Sequence, residues 1–286
     1  MTVTAVAEQQ RIRPAGFGRL MLAEWTKIRS VRSTTWTLIV FVIVAVGITA
    51  LVSWLTVHNW NGPRAAERNA LVLADPVQFI FGPGIYLGQL AVCVLGALVI
   101  TAEYSTGVIR ATLLAVPNRY LMLAAKIVVF ALLILVLAEV VTFGSFFAGS
   151  SILHSRVAVS LSDPGVLRAT IGTGLYLTVL GVFAVAIGGL IRHTAAAVTT
   201  VIGIALVLPI LAGLLPGSWG AHINAYLPEQ AGILISHAHQ NSGTQLAGGS
   251  SVPADLLSPW QGFGVFCIWT VLLLAVAAFL LDRRDA

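Results

Sequence analysis

Long apolar runs alternate with short polar intervals along this chain of 286 residues. Each run has about the ~20 residues that a helix needs to cross ~30 Å of hydrocarbon. The runs cover residues 36–57, 84–102, 127–148, 170–190, 195–215 and 262–281. This pattern predicts an all-α, polytopic membrane protein with six transmembrane helices.

The stretch before the first run predicts a helix that lies on the membrane surface, because apolar residues recur at helical spacing with Arg19 on the opposite side. The apolar positions are Phe17, Leu20, Met21, Trp25 and Ile28. Glu24 interrupts this stripe, and two interpretations of it stay open. It pairs with Lys27 as an i,i+3 contact, or it contacts a partner, since a carboxylate on the buried side needs a donor. Glu24, Trp25 and Lys27 are therefore the candidate residues of this interfacial helix.

The interval of residues 103–121 is too polar to span a membrane and too apolar to be a free linker. One helical face collects Val108, Ala111, Thr112 and Ala115. The spacing predicts a short helix along the membrane surface, which Pro117 ends.

The intervals on the other side of the membrane differ in length. Residues 58–83 and 149–169 predict modest loops, whereas residues 216–261 form a long interval. Within it, residues 225–238 predict an apolar helix too short to cross a bilayer, hence a re-entrant or interfacial segment. Residues 240–251 are rich in Gly, Ser and Gln and predict a flexible stretch.

The basic residues separate by side. With a cytoplasmic N-terminus, twelve of the 16 Lys and Arg residues lie inside and the other four outside. The four outside are Arg64, Arg68, Arg156 and Arg168. This bias predicts a multi-pass protein of the plasma membrane with both termini cytoplasmic. Residues 1–15 predict a disordered cytoplasmic tail, and residues 16–286 a single domain.

Composition agrees with a membrane protein. A hydrophobic fraction of 58% and a charged fraction of 9% exclude an ordinary soluble domain, in which about a quarter of residues are charged. The net charge of +5 is concentrated at membrane flanks, where anionic lipid headgroups attract it, so it predicts contact with membrane lipids and no nucleic-acid partner. Cys93 and Cys267 fall within spans and are interpreted as small packing residues.

Enzymatic motifs are missing from the sequence. A P-loop needs Lys after Gly and before Ser or Thr, but Lys27 follows Thr26 and Lys126 follows Ala125. Neither H-E-x-x-H nor G-x-S-x-G occurs. His237 is close to His239 in the long interval, but two ligands without a third make a poor metal site, so both are expected to be solvated. We therefore predict no catalytic residue, no metal site and no enzyme activity in this chain.

Glu139 is the one acidic residue deep inside a predicted span, about 18 Å past Ile127 at 1.5 Å per residue. A carboxylate at this depth either contacts a substrate in a transport pathway or bonds a neighbouring helix. Structural pairing is the favoured interpretation, since Thr142 and Ser145 follow on the same span. Pro209 and the Gly188–Gly189 pair are further predicted to permit kinks in their spans.

Several segments together resemble ABC-2-type permease subunits of ATP-binding-cassette transporters, particularly the actinobacterial kind. The clearest is EYSTGVIRATLLAVPNRYLMLAAK at residues 103–126, and others are AEWTKIRSVRS at 23–33, YLPEQAG at 226–232 and the ending from 258 to 286. The positions that match the first motif are Glu103, Gly107, Leu113, Leu114, Pro117, Arg119 and Lys126. The chain departs from the pattern at Ala125, where the family often has Gly.

The resemblance implies a six-span exporter subunit that dimerises or pairs with a similar permease and binds two ATPase subunits. The partner ATPases would hold ATP and Mg, so this chain needs no cofactor of its own. The segment with Glu103, Gly107, Leu113, Leu114, Pro117 and Arg119 would be the coupling helix seated in the ATPase. The long outer segment would be a re-entrant element that closes the exit. Two other classes stay open: an ion-coupled secondary transporter, and a membrane-embedded immunity or resistance protein.

Overall fold

The computed structural model describes residues 16–30, 32–63, 65–109, 112, 118–215, 218–238, 244–245, 251–252 and 256–284. The predicted tail of residues 1–15 and most of the predicted flexible stretch lie outside these ranges. The helices, numbered in chain order, are α1 Phe17–Ser30, α2 Arg32–His58, α3 Ala65–Ala74, α4 Pro76–Ser105, α5 Arg119–Leu153, α6 Val166–Ile191, α7 Thr194–Ile202, α8 Leu208–Gly213, α9 Ser218–Ala225, α10 Pro228–Ile233 and α11 Pro259–Arg284.

Six helical segments in the described ranges are long and apolar enough to cross a membrane. They are Leu38–His58, Pro76–Ser105, Arg119–Leu153, Val166–Ile191, Thr194–Gly213 and Pro259–Arg283. Each of the six predicted runs falls on one of them, which confirms the all-α membrane fold. Strand structure in the described residues is confined to β1 Thr244–Gln245, paired antiparallel with β2 Ser251–Val252.

The predicted loop of residues 58–83 is wrong over most of its length. Residues Ala65–Ala74 form α3, and α4 begins at Pro76. Asp75 starts α4, since its carboxylate accepts a hydrogen bond from the Gln78 N–H at 2.9 Å and proline is favoured in the first turn. Pro83 stays inside the helix. The buried side chains before it hold this turn against the bundle.

Helix α5 is also longer than predicted, extending from Arg119 to Leu153 instead of starting at Ile127. Asn118 caps it, because its side-chain oxygen accepts from the Leu121 N–H at 3.1 Å. Its 35 residues measure roughly 52 Å at 1.5 Å per residue. A helix of this length exceeds the ~30 Å hydrocarbon layer, so part of α5 extends beyond that layer.

Helix α6 is the most buried of the six spans and packs against α4, α5 and α11. Small residues bring α6 close to α4. A Cβ on Gly188 would meet Ile100 Cγ2 at 2.7 Å, and one on Gly96 would meet the Gly181 backbone oxygen and the Ala184 Cβ. Gly188 lies within the single helix α6 and allows close helix packing, and the kink that it was predicted to permit stays a prediction.

The fifth span runs from Thr194 to Gly213 but is irregular near its proline. Between α7 and α8, residues Gly203–Val207 form a π-helical turn directly before Leu208 and Pro209. Proline lacks the N–H that would continue the regular ladder, and a π turn accommodates the gap.

The long interval inserts a short broken helix into the bundle. α10 and the 3₁₀ turn Leu234–Ser236 are wholly buried and pack on α6 and α11. The single predicted helix over 225–238 is wrong in detail, because the chain breaks at Tyr226 and Leu227 and restarts at Pro228. Its burial agrees with a re-entrant segment.

Contacts at the helix ends define two ends of the bundle. At one end, Arg119 and Arg192 donate to the backbone carbonyls of Leu280, Leu281 and Asp282, capping α11. We call this the α4–α5 end, after the connection that it carries. The other is the α5–α6 end.

Candidate functional site

Four charged side chains from three helices meet at the α4–α5 end. Glu24 and Lys27 come from α1, Glu103 from the last turn of α4, and Lys126 from the start of α5. We call these four residues the ion cluster. Glu103 and Lys126 stand on either side of the α4–α5 connection, so α1 is joined to both sides of that connection.

Each lysine in the ion cluster bridges both carboxylates. Lys126 Nζ lies 2.6 Å from Glu24 Oε2 and 2.8 Å from Glu103 Oε1. Lys27 Nζ lies 2.6 Å from Glu24 Oε1 and 3.0 Å from Glu103 Oε1. The cluster holds two positive and two negative charges, so it is neutral as a whole.

Burial makes these contacts strong and mutually dependent. The side chain of Lys126 is 3% exposed, whereas that of Lys27 is 37% exposed. Burial alone would raise the pKa of Glu24, but the charges and hydrogen bonds of Lys126 and Lys27 outweigh it and lower that pKa. Burial alone would lower the pKa of Lys27, but hydrogen bonds to Glu24 and Glu103 raise it. The charged forms are therefore held in place.

The structure shows the first interpretation of Glu24, and contact of Glu24 with a partner stays a prediction. The i,i+3 pair with Lys27 forms, and a compensating donor on the buried side is also present. That donor is Lys126 of the same chain. Trp25, on the neighbouring position of α1, stays exposed.

The predicted coupling residues are only partly described. Leu113, Leu114 and Pro117 lie outside the described residues. Gly107 follows the end of α4 with φ of 71°, in the left-handed region that favours glycine. Beyond it, the Thr112 hydroxyl donates to the Val108 carbonyl at 3.0 Å, the i−4 contact of a helical turn.

Glu103 and Arg119 have partners within the chain. Glu103 is buried in the ion cluster. The Arg119 guanidinium donates to the backbone oxygens of Leu281 and Asp282 at 3.1 and 2.8 Å. These contacts give both residues a structural role, and their contact with an ATPase stays a prediction.

A second polar cluster lies between α10 and the bundle. The Tyr176 hydroxyl of α6 donates to Gln89 Oε1 of α4 at 3.0 Å, and Gln230 Nε2 donates to Glu229 Oε2 at 2.8 Å. We call these four residues the Glu229 cluster; each is at most 1% exposed. Burial raises the pKa of Glu229 to about 7, and the nearby polar groups of Gln230, Tyr176 and Gln89 offset part of the rise.

Glu139 lies halfway along α5 and faces α6 at Gly174. A Cβ at Gly174 would come within 2.6 Å of the Glu139 Cδ, so the glycine makes room for the carboxylate. Glu139 Oε2 is buried and accepts no hydrogen bond from the described residues. The sequence favoured a structural hydrogen bond from Glu139 to a neighbouring helix, but the described residues supply no donor to Glu139 Oε2.

Of the two outer histidines, His237 is buried, so the expectation that it is solvated is wrong. Its backbone oxygen accepts from Arg168 of α6 at 2.9 Å, and Arg168 also donates to Ala238 at 3.0 Å. Burial lowers the pKa of His237. His239 lies outside the described residues. In the described ranges, no three His, Cys, Asp or Glu side chains are grouped to hold a metal ion.

Sequence reasoning missed the Glu229 cluster and the partnership of Lys126 with Glu24. Gln89 is an amide inside an apolar run, and Glu229 is a carboxylate inside an apolar segment. Both are polar residues where the surroundings are apolar, and this signal could have singled them out.

Comparison with models of known protein families finds no match for this chain. Comparison with curated protein sequences finds no match either.

Proposed function

We propose that this chain is the permease subunit of an ATP-binding-cassette exporter, in which two partner ATPases supply the energy. The single observation that carries the proposal is the ion cluster. It joins α1 to both sides of the α4–α5 connection, the segment whose motif resembles an ATPase-coupling helix. A displacement of either side of this connection would therefore also move α1.

The proposed orientation puts the α4–α5 end in the cytoplasm of a cell whose plasma membrane the protein spans. Twelve of the 16 basic residues lie on that side in the sequence, and Arg119 and Arg192 lie there in the fold. An ATPase needs cytoplasmic ATP, so this orientation is the one in which coupling can work.

The proposed route of the movement follows packed helices. An ATPase that displaces the α4–α5 connection would move α1, α4 and α5 together through the ion cluster. Helix α6 would follow α4 because glycines hold these two helices in close contact. Gln89 on α4 and Tyr176 on α6 are hydrogen-bonded to each other and lie beside Glu229, so they would pass the movement to the inserted α10. The inserted segment would then open or close the exit. Two copies of the chain, or one copy beside a similar permease, would form the pathway.

The second candidate is an ion-coupled secondary transporter. Glu139 and Glu229 favour it, since Glu139 lies within a span, Glu229 is buried in the bundle, and neither forms an ion pair with a lysine or arginine among the described residues. Carboxylates of this kind serve as proton or cation sites in such transporters.

Purification separates the candidates. The tagged chain is extracted from its own host in several mild detergents. A protein with a Walker A motif should copurify with it at an equimolar ratio. Purification of the chain without such a protein in every detergent would contradict the exporter proposal and favour the ion-coupled transporter.

A further inference from the structure

An apolar groove of about 510 Å³ runs between α1 and α5 at the α4–α5 end. Gly18, Met21, Leu22 and Trp25 line one wall, and residues of α5 between Val129 and Val136 line the other. All of its lining side chains are apolar, and Leu22 and Val136 are largely exposed. The volume lies within the range of about 300–1,000 Å³ found for small-molecule sites.

The charged residues beside the groove indicate its position along the membrane normal. Lys126 lies one turn before Val129 on α5, and it belongs to the neutral ion cluster. The groove therefore begins where the charged layer ends and continues along the part of α5 that lies in hydrocarbon.

A basic residue extends the stripe of α1 that lines the groove. Gly18, Leu22 and Trp25 follow one another at intervals of four and three residues, and Arg29 continues this stripe four residues further. Arg29 is exposed, as is Arg19 on the neighbouring stripe. An apolar groove with a basic residue one turn beyond its lining on α1 matches a lipid that has a hydrocarbon chain and an anionic headgroup.

We propose that this groove holds an acyl chain of an anionic phospholipid, whose phosphate binds Arg29. The proposal does not depend on the transport function. A second copy of the chain fits the groove less well, because a two-fold axis normal to the membrane would bring Arg19 and Arg29 of each copy to the same level. Like charges would then face one another.

Gly18 in α1 and Gly16 just before it provide a matched test. A Cβ on Gly18 meets nothing within 4 Å, so Gly18→Phe can fill the groove without displacing the backbone. Gly16 has equally open space and does not line the groove, so Gly16→Phe is the control. Both variants are first checked for normal accumulation and a single peak in size-exclusion chromatography.

Native mass spectrometry then counts the lipids on each protein, purified in an equimolar mixture of phosphatidylglycerol and phosphatidylcholine with identical chains. We expect wild type and Gly16→Phe to retain a phosphatidylglycerol that Gly18→Phe has lost. Arg29→Gln should keep a lipid in the groove but lower the preference for phosphatidylglycerol by about fivefold.

Two results would overturn the proposal. Equal lipid numbers on Gly18→Phe and Gly16→Phe would show that no lipid occupies the groove. A change of oligomeric mass in Gly18→Phe, with an unchanged lipid number, would assign the groove to a second copy of the chain.

Discussion

Lys126 Nζ lies 2.6 Å from Glu24 Oε2, although 102 residues separate the two along the chain. The pair joins α1 to α5, and Glu103 extends the same contact to α4. Three helices thus depend on the two lysines of the ion cluster, of which Lys126 is the buried one. This dependence determines how the α4–α5 end should respond to substitution.

Lys126→Met should destabilise the protein by about 3–5 kcal/mol, because it leaves two buried carboxylates with one partly exposed lysine. Lys27→Met is the matched control. It should cost less, since the Lys27 side chain is 37% exposed and water screens its charge. Apparent melting temperatures in a mild detergent measure the difference. Equal losses from Lys126→Met and Lys27→Met would show that Lys126 does not hold the ion cluster together.

Gly107→Ala should cost about 1–2 kcal/mol, because φ at this position is 71° and a Cβ strains the left-handed conformation. The space around the position is open, so the effect comes from the backbone and not from a clash. Gly107→Asn should cost less, as asparagine tolerates this conformation better. Thermal unfolding of the three proteins tests this, and an alanine variant as stable as wild type would rule out the strained turn.

Hydropathy and charge were sufficient to predict the six spans and the helical fold. Hydropathy and charge are properties of each residue's own side chain, so they can be read along the sequence without knowing which helices pack together. Helix bounds depended on caps such as Asp75 and Asn118, which a run of apolar residues does not include. The ion cluster was predicted in part, through the i,i+3 spacing of Glu24 and Lys27. Its long-range half, with Lys126 and Glu103, depends on how distant helices pack and is not a local property of any segment. The burial of Glu229 has the same origin.

Stability should fall as pH rises from about 4.5 to about 7, through Glu229. The pKa of Glu229 is about 7 in the folded protein, compared with an ordinary glutamate value of 4.5. Between these two pKa values the folded chain keeps a proton that the unfolded chain has released. The stabilisation from this proton is complete below about pH 4.5 and is lost above about pH 7. At about 1.4 kcal/mol per pH unit the loss amounts to about 3 kcal/mol.

Glu229→Gln isolates this effect, since the amide keeps the size of the side chain and does not titrate. The variant should gain stability relative to wild type as pH rises through this range. The lowered pKa of Glu24 makes both proteins weaken in acid, and the comparison at equal pH cancels that contribution. Parallel stability curves for wild type and variant would contradict a protonated, buried Glu229.

Glu139→Gln should accumulate and melt like wild type, because Glu139 Oε2 has no donor to lose among the described residues. Gly174→Ala should be destabilising, since its methyl group would meet the Glu139 carboxylate. The double variant Gly174→Ala with Glu139→Ala should recover most of that loss. Without recovery, the close approach of these two residues would be refuted; strong destabilisation by Glu139→Gln alone would indicate a structural ion pair or hydrogen bond.

The most direct measurement of the proposed coupling is photo-cross-linking in native membranes from a reactive amino acid placed at Thr112. The control site is Ser160, which is exposed in the α5–α6 connection at the other end of the bundle. If the α4–α5 connection seats an ATPase, the Thr112 site will cross-link to a protein with a Walker A motif and the Ser160 site will not. Absence of such a protein at Thr112, or its appearance at Ser160 instead, would contradict the account.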